Sequence, residues 1–172
     1  MKNTKNTMIA ALLVAVVALS VGYALLSATL TINGTAQIAT WDVKITNCVQ
    51  SSHTGAALDR VAPTHTDTTA SFDAILQAAG DSITYTITIT NSGSLDAELD
   101  SITWTPDAAT YGAGPVKYTV VSAPAATDVI AANGGTATVT ITATYDSTFS
   151  GEITSSNNHK DISAVLEYKQ AD

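Results

Sequence analysis

Ser82-Ile83-Thr84-Tyr85-Thr86-Ile87-Thr88-Ile89-Thr90 alternates without a fault: Ile83, Tyr85, Ile87 and Ile89 share one face, and the other carries only Ser and Thr. Successive side chains of a β-strand point to opposite faces, so this stretch reads as a strand with one side in a core and the other in water. Ala78-Ala79-Gly80-Asp81 before it and Asn91-Ser92-Gly93-Ser94 after it are turn signals. Thr136 to Tyr145 repeats the pattern, with Ala137, Val139, Ile141, Ala143 and Tyr145 set against Thr136, Thr138, Thr140, Thr142 and Thr144. Such half-buried alternation belongs to antiparallel sheets.

Phe72, Ala74 and Leu76 make a short strand upstream. Downstream, Leu95, Ala97 and Leu99 hold one phase before Ile102 and Trp104 take the other, which predicts a β-bulge at Asp100-Ser101. Val116, Tyr118 and Val120 read as another strand, and Ile162, Ala164, Leu166 and Tyr168 as the last. Pro106 to Pro115, Pro124 to Gly135 and Asp146 to Lys160 read as loops. Cys48 to Thr69 is mostly polar or small with no sustained period, and reads as a long surface loop. Short strands separated by turn clusters, without a second convincing helix, give an all-β fold: an antiparallel two-sheet sandwich, jelly-roll or immunoglobulin-like, preceded by an N-terminal hydrophobic helix.

That helix is the run Met8 to Leu26, with no charge between Lys5 and Asp42. About 17 to 25 apolar residues span a bilayer core, and Lys2 and Lys5 supply a positive cytoplasmic flank. Gly22-Tyr23-Ala24 is a small-x-small site for signal cleavage. Residues 1–24 are therefore expected to be a signal peptide cut after Ala24. The alternative is an uncleaved anchor, since Leu25 and Leu26 extend the apolar run. Either way the remainder is extracytoplasmic, secreted or at the cell surface.

Residues 25–39 follow as an extended segment, in which Ala28, Leu30, Ile32, Gly34, Ala36 and Ile38 form one face and Thr29, Thr31, Asn33, Thr35 and Gln37 the other. A two-residue hairpin at Asn33-Gly34 would mix apolar and polar residues on each face, so one continuous strand is the better reading. Trp41, Val43 and Ile45 are odd-numbered, so a bend belongs at Ala39-Thr40. Residues 40–172 are left as the sandwich domain, the size of one ordinary domain.

The formal net charge of -8 becomes more negative when Lys2 and Lys5 leave with the signal, which argues against nucleic acid as a partner. The single cysteine, Cys48, has no intrachain partner and reads as a small buried hydrophobe, with an intermolecular disulfide as the sharper alternative.

Three segments together resemble the TasA and camelysin type of exported proteins, whose signals are cut by a SipW-type peptidase. They are the leader ending Gly22-Tyr23-Ala24 with its extended sequel, Gly80-Asp81 through Asn91-Ser92-Gly93-Ser94-Leu95, and Gly134-Gly135 with its Thr-rich strand. The resemblance implies a jelly-roll domain that polymerises into biofilm-matrix fibres by lending its N-terminal segment as a strand to the next subunit. Leu25 departs from the aromatic residue often found just after the cut.

No His-Glu-x-x-His, Gly-x-Ser-x-Gly, phosphate loop or paired cysteine is present, so no enzyme, metal or cofactor is expected. His65-x-Asp67 offers two ligands without a third, and Asp96, Glu98 and Asp100 read as a solvated acidic face whose sharper alternative is a calcium site. Trp41 and Trp104 fall in apolar phases and read as core rather than as sugar-stacking platforms. The leading expectation is a cell-surface structural protein whose partner is itself, through donated residues Ala28, Leu30, Ile32, Gly34, Ala36 and Ile38, with the membrane engaged by the helix before cleavage. The competing expectation is a monomeric surface module, tethered or secreted, that binds other cell-surface proteins or ligands.

Overall fold

The computed structural model describes residues 38–171 together with 12, 13, 34 and 35. The chain divides into two units, Met1–Gln37 and Ile38–Asp172, and the strands described below belong to the second. Leu12 and Leu13 have helical backbone, and the rest of the expected leader, including Gly22, Tyr23 and Ala24, lies outside the described residues. Among the described residues, no helix is long and apolar enough to cross a membrane.

The strands are β1 (Val43–Thr54), β2 (Leu58–His65), β3 (Ala70–Ile75), β4 (Ser82–Asn91), β5 (Ala97–Thr105), β6 (Val116–Ser122), β7 (Val129–Ile130), β8 (Gly135–Tyr145) and β9 (Ser163–Gln170). A short helix, α1 (Ala108–Tyr111), follows β5, with Asp107 as its N-cap accepting from Thr110 N at 2.9 Å. The strand pairings are antiparallel. They build a four-stranded sheet β1-β4-β8-β6, a hairpin β2-β3 and a three-stranded sheet β7-β5-β9. The all-β expectation holds.

β4 and β8 form the centre of the large sheet because each alternates cleanly: every second residue of β4 from Ile83 to Asn91 is buried. Their outer faces pair Thr with Thr across the strands, and the hydroxyls of Thr84 and Thr142 lie 2.9 Å apart. Their inner face is covered from both smaller sheets. Phe72, Ala70, Trp104, Leu166 and Tyr168 pack on a cluster containing Cys48, Ile87, Ile89, Ile130, Val139 and Ile141. Phe72 also stacks on Tyr85, with ring centroids 4.4 Å apart.

The bulge expected at Asp100-Ser101 is present as a register shift between Leu99 and Ser101 against β9. The long loop expected over Cys48 to Thr69 is not: β1 continues to Thr54, and β2 occupies Leu58–His65. Two register shifts in β1, between Ile45 and Asn47 and between Gln50 and Ser52, explain the difference. Each extra residue flips the phase, so Ile45 and Cys48 both face inward although one is odd and the other even. β2 pairs only with β3 among the described residues and is mostly exposed, so little of its sequence is apolar.

The strands that cover the core do not all run the same way. β4 starts beside the Gly80-Asp81 turn and ends at Asn91, whose Nδ2 donates to the carbonyls of Leu95 (2.8 Å) and Ile130 (3.1 Å). β9 runs parallel to it: the Lys160 carbonyl just before β9 accepts from the Tyr118 hydroxyl at 3.0 Å, and Gln170 at its end pairs with Ala97. β3 runs opposite, since Asp67 before it accepts from Ile45 N at 2.8 Å, while Gln77 N and Ala78 N after it donate to Asp81 Oδ2 at 2.8 and 2.9 Å.

Candidate functional site

A groove of about 620 Å³ opens over the inner face of the large sheet. Its floor is Ile87 and Ile89 of β4 with Val139 and Ile141 of β8. Ala70 and Phe72 of β3 form one wall, and Ala164, Leu166 and Tyr168 of β9 the other. Among the described residues, β3 has no strand on its groove side and neither has β9, because β3 pairs only with β2 and β9 only with β5. The layer opposite the large sheet therefore carries two free strand edges with apolar surface between them. Unpaired N–H and C=O groups along such edges are a template for another strand.

The groove is lined by two charged residues, Lys44 and Asp67, which face each other at 4.0 Å; Lys44 also pairs with Asp42 at 3.0 Å. The hydrogen bond to Asp42 holds the Lys44 ammonium above its ordinary pKa. The hydroxyl of Tyr168 is buried without a hydrogen-bond partner among the described residues, and burial, followed by the charge of Asp128, pushes its pKa up to about 12.

Trp41 stands at the mouth of the groove and is 48 % exposed, so its expected place in the core is corrected. Hydrogen bonds on either side of it, from Thr40 and Asp42 to the β4–β5 turn, hold it there. Thr40 N donates to Ser94 Oγ at 2.9 Å, Ser94 N donates to the Thr40 carbonyl at 2.9 Å, and Ser92 N donates to the Asp42 carbonyl at 2.8 Å. The chain thus enters the domain pinned to the β4–β5 turn, at the Asn91 end of the groove. Trp104 is partly buried on the main cluster, as its phase predicts.

Of the expected donor row, Gly34 and Ile38 are described and both are exposed, Ile38 at 94 %. Ala28, Leu30, Ile32 and Ala36 lie outside the described residues.

The candidate ligand clusters are not brought together. Lys169 bridges Glu98 at 3.2 Å and Asp100 at 3.1 Å, and Asp96 Oδ1, just before β5, accepts from Ala132 N at 2.6 Å, so the acidic row is engaged by the protein itself. His53 is bonded to Gln50 at 2.8 Å and His159 to Asp161 at 3.0 Å. Among the described residues, no three His, Cys, Asp or Glu side chains converge as a metal ion requires. The groove residues escaped sequence reasoning because Phe72, Ile87, Val139 and Leu166 look like ordinary core positions; nothing in their alternation marks a missing neighbour.

No protein-family model, no curated protein and no solved structure matches the chain.

Proposed function

We propose that this chain is an exported structural protein of the cell surface, a fibre or biofilm-matrix subunit that assembles by N-terminal strand donation. Residues 1–24 act as signal peptide or anchor, residues 25–39 as donor, and residues 40–172 as a jelly-roll or immunoglobulin-like acceptor sandwich. The observation that carries the reading is the apolar groove between the free edges of β3 and β9. A strand laid there hydrogen-bonds along open edges and sets alternate side chains onto the floor. The segment ahead of the domain has the matching character: an alternating apolar row with no charge between Lys5 and Asp42, whose last residue, Ile38, is exposed. Leaving Leu30 and Ile32 in water forgoes about 1.5 to 3 kcal/mol each.

Deleting Leu25 to Ile38, or making Leu30→Asp with Ile32→Asp, is expected to give a folded monomer that cannot assemble yet accepts the wild-type segment as a peptide. Unfolding of either variant, or a wild type that stays monomeric at high concentration, sinks the reading. The second reading, a monomeric surface module that binds a ligand, draws on the same groove, whose volume falls within the range of about 300–1,000 Å³ usual for small-molecule sites. Electron microscopy of the mature protein separates the two.

A further inference from the structure

The two walls of the groove run in opposite directions, because β9 follows β4 from the Asp81 end to the Asn91 end and β3 returns. Any strand inserted between them is parallel to one wall and antiparallel to the other. The two choices build different objects. Each subunit's own N-terminal segment departs at the Asn91 end, where Thr40 is tied to Ser94.

If a donor lies parallel to β9, its residue 38 sits at the acceptor's Asn91 end. Two Asn91 ends then meet, both donors leave from the same junction, and reciprocal exchange closes a two-fold dimer. If a donor lies antiparallel to β9, its residue 38 sits at the acceptor's Asp81 end. The donor's Asn91 end then abuts the acceptor's Asp81 end, every subunit points the same way, and the contact repeats without closing. β9 is also the longer wall, with 8 residues against 6 in β3, and antiparallel pairing is the more stable per residue.

Resting on the strand-donation reading, we propose that the segment of a second copy enters antiparallel to β9 and parallel to β3, directing Ala36 toward Ala164 and Ile32 toward Tyr168. The growing assembly is polar, with a vacant groove at one end and a free segment at the other.

The test uses the full exported protein carrying Cys48→Ala, with Ala36→Cys combined either with Ala164→Cys or with Tyr168→Cys, treated with a short bifunctional maleimide after assembly. A ladder of covalent oligomers from the Ala36/Ala164 variant, absent from the Ala36/Tyr168 variant, is expected. Intermolecular products from the Ala36/Tyr168 variant alone overturn the polarity while leaving strand donation standing. A cross-link within single chains in either variant means that the segment folds back on its own subunit and overturns the proposal. Assembled material in which neither variant cross-links removes the segment from the groove, and strand donation falls with the polarity.

Discussion

The Tyr85 hydroxyl donates a 2.6 Å hydrogen bond to Asp59 Oδ1, joining the centre of the large sheet to the β2-β3 hairpin. Tyr85 is fully buried, and its ring keeps Phe72 as a stacking partner whatever happens at the hydroxyl. Tyr85→Phe therefore isolates the hydrogen bond. A hydrogen bond to a charged group contributes about 1.5 to 3 kcal/mol, and a loss of that size is expected in urea unfolding. In a double-mutant cycle with Asp59→Ala the two losses should be non-additive. Additive losses would mean that the pair is uncoupled.

Stability should fall at both ends of the pH range. Burial raises the pKa of Tyr85 and, to about 12, those of Tyr118 and Tyr168. In the unfolded chain these phenols ionise near pH 10, so the stabilisation is intact below about pH 10 and is lost as pH rises toward 12. On the acid side, the hydrogen bond from Lys117 is the largest cause lowering Asp146 to about 2, with Thr148 next. Backbone donation from Ala78 leads the lowering of Asp81, aided by Ala56 and Gln77. Their contribution is present above about pH 4 and is lost as pH falls through the lowered values. Thermal midpoints across the range check both limbs, and Lys117→Met should shift the acid limb to higher pH. An unchanged acid limb in that variant would contradict the assignment.

Asn91 has no exposed surface, and it serves three backbone groups: it donates to the carbonyls of Leu95 and Ile130 and accepts from Gly93 N at 3.0 Å. Asn91→Ala strands all of them in the interior at about 1 to 3 kcal/mol for each unsatisfied group. A total loss of about 3 kcal/mol or more is expected by chemical denaturation. A loss below about 1 kcal/mol would show that water reaches them.

Donor and acceptor functions should separate by mutation. Ala164→Trp fills the groove wall without touching the segment, while Leu30→Asp with Ile32→Asp spoils the segment without touching the groove. Each variant alone should fail to form fibres, and their mixture should stop at a one-to-one complex, observable by size-exclusion chromatography with light scattering. Long fibres from either single variant would contradict strand donation.

The proposed export can be read directly. N-terminal sequencing of the extracellular protein should begin at Leu25, with Thr29 as the secondary start, and a product beginning at Met1 would favour the tethered module.

Residues whose period was uninterrupted announced their structure. Ile83 to Ile89 and Val139 to Ala143 are buried alternately as their spacing demands, and the phase change from Leu99 to Ile102 marks the bulge that the pairing with β9 shows. β1 beyond Ile45 was hidden because its bulges scramble the phase, and β2 because an exposed hairpin needs few apolar residues. The groove was hidden for a different reason. It arises from which strands lack neighbours, a property of sheet order that Phe72 or Leu166 cannot carry in its own identity.

The wall formed by β9 comes after every other wall and floor strand along the chain. Under the proposed export, a polypeptide that crosses the membrane N-terminus first presents residues 25–39 outside while β9 is still within the translocation machinery. If residues 25–39 are donated as proposed, a subunit has in that interval a segment to lend and nowhere of its own to put it, whereas finished subunits nearby hold vacant grooves. On the proposed reading, order of emergence biases each newcomer toward capture by an older neighbour, and secretion becomes the clock that sets where the next subunit is added.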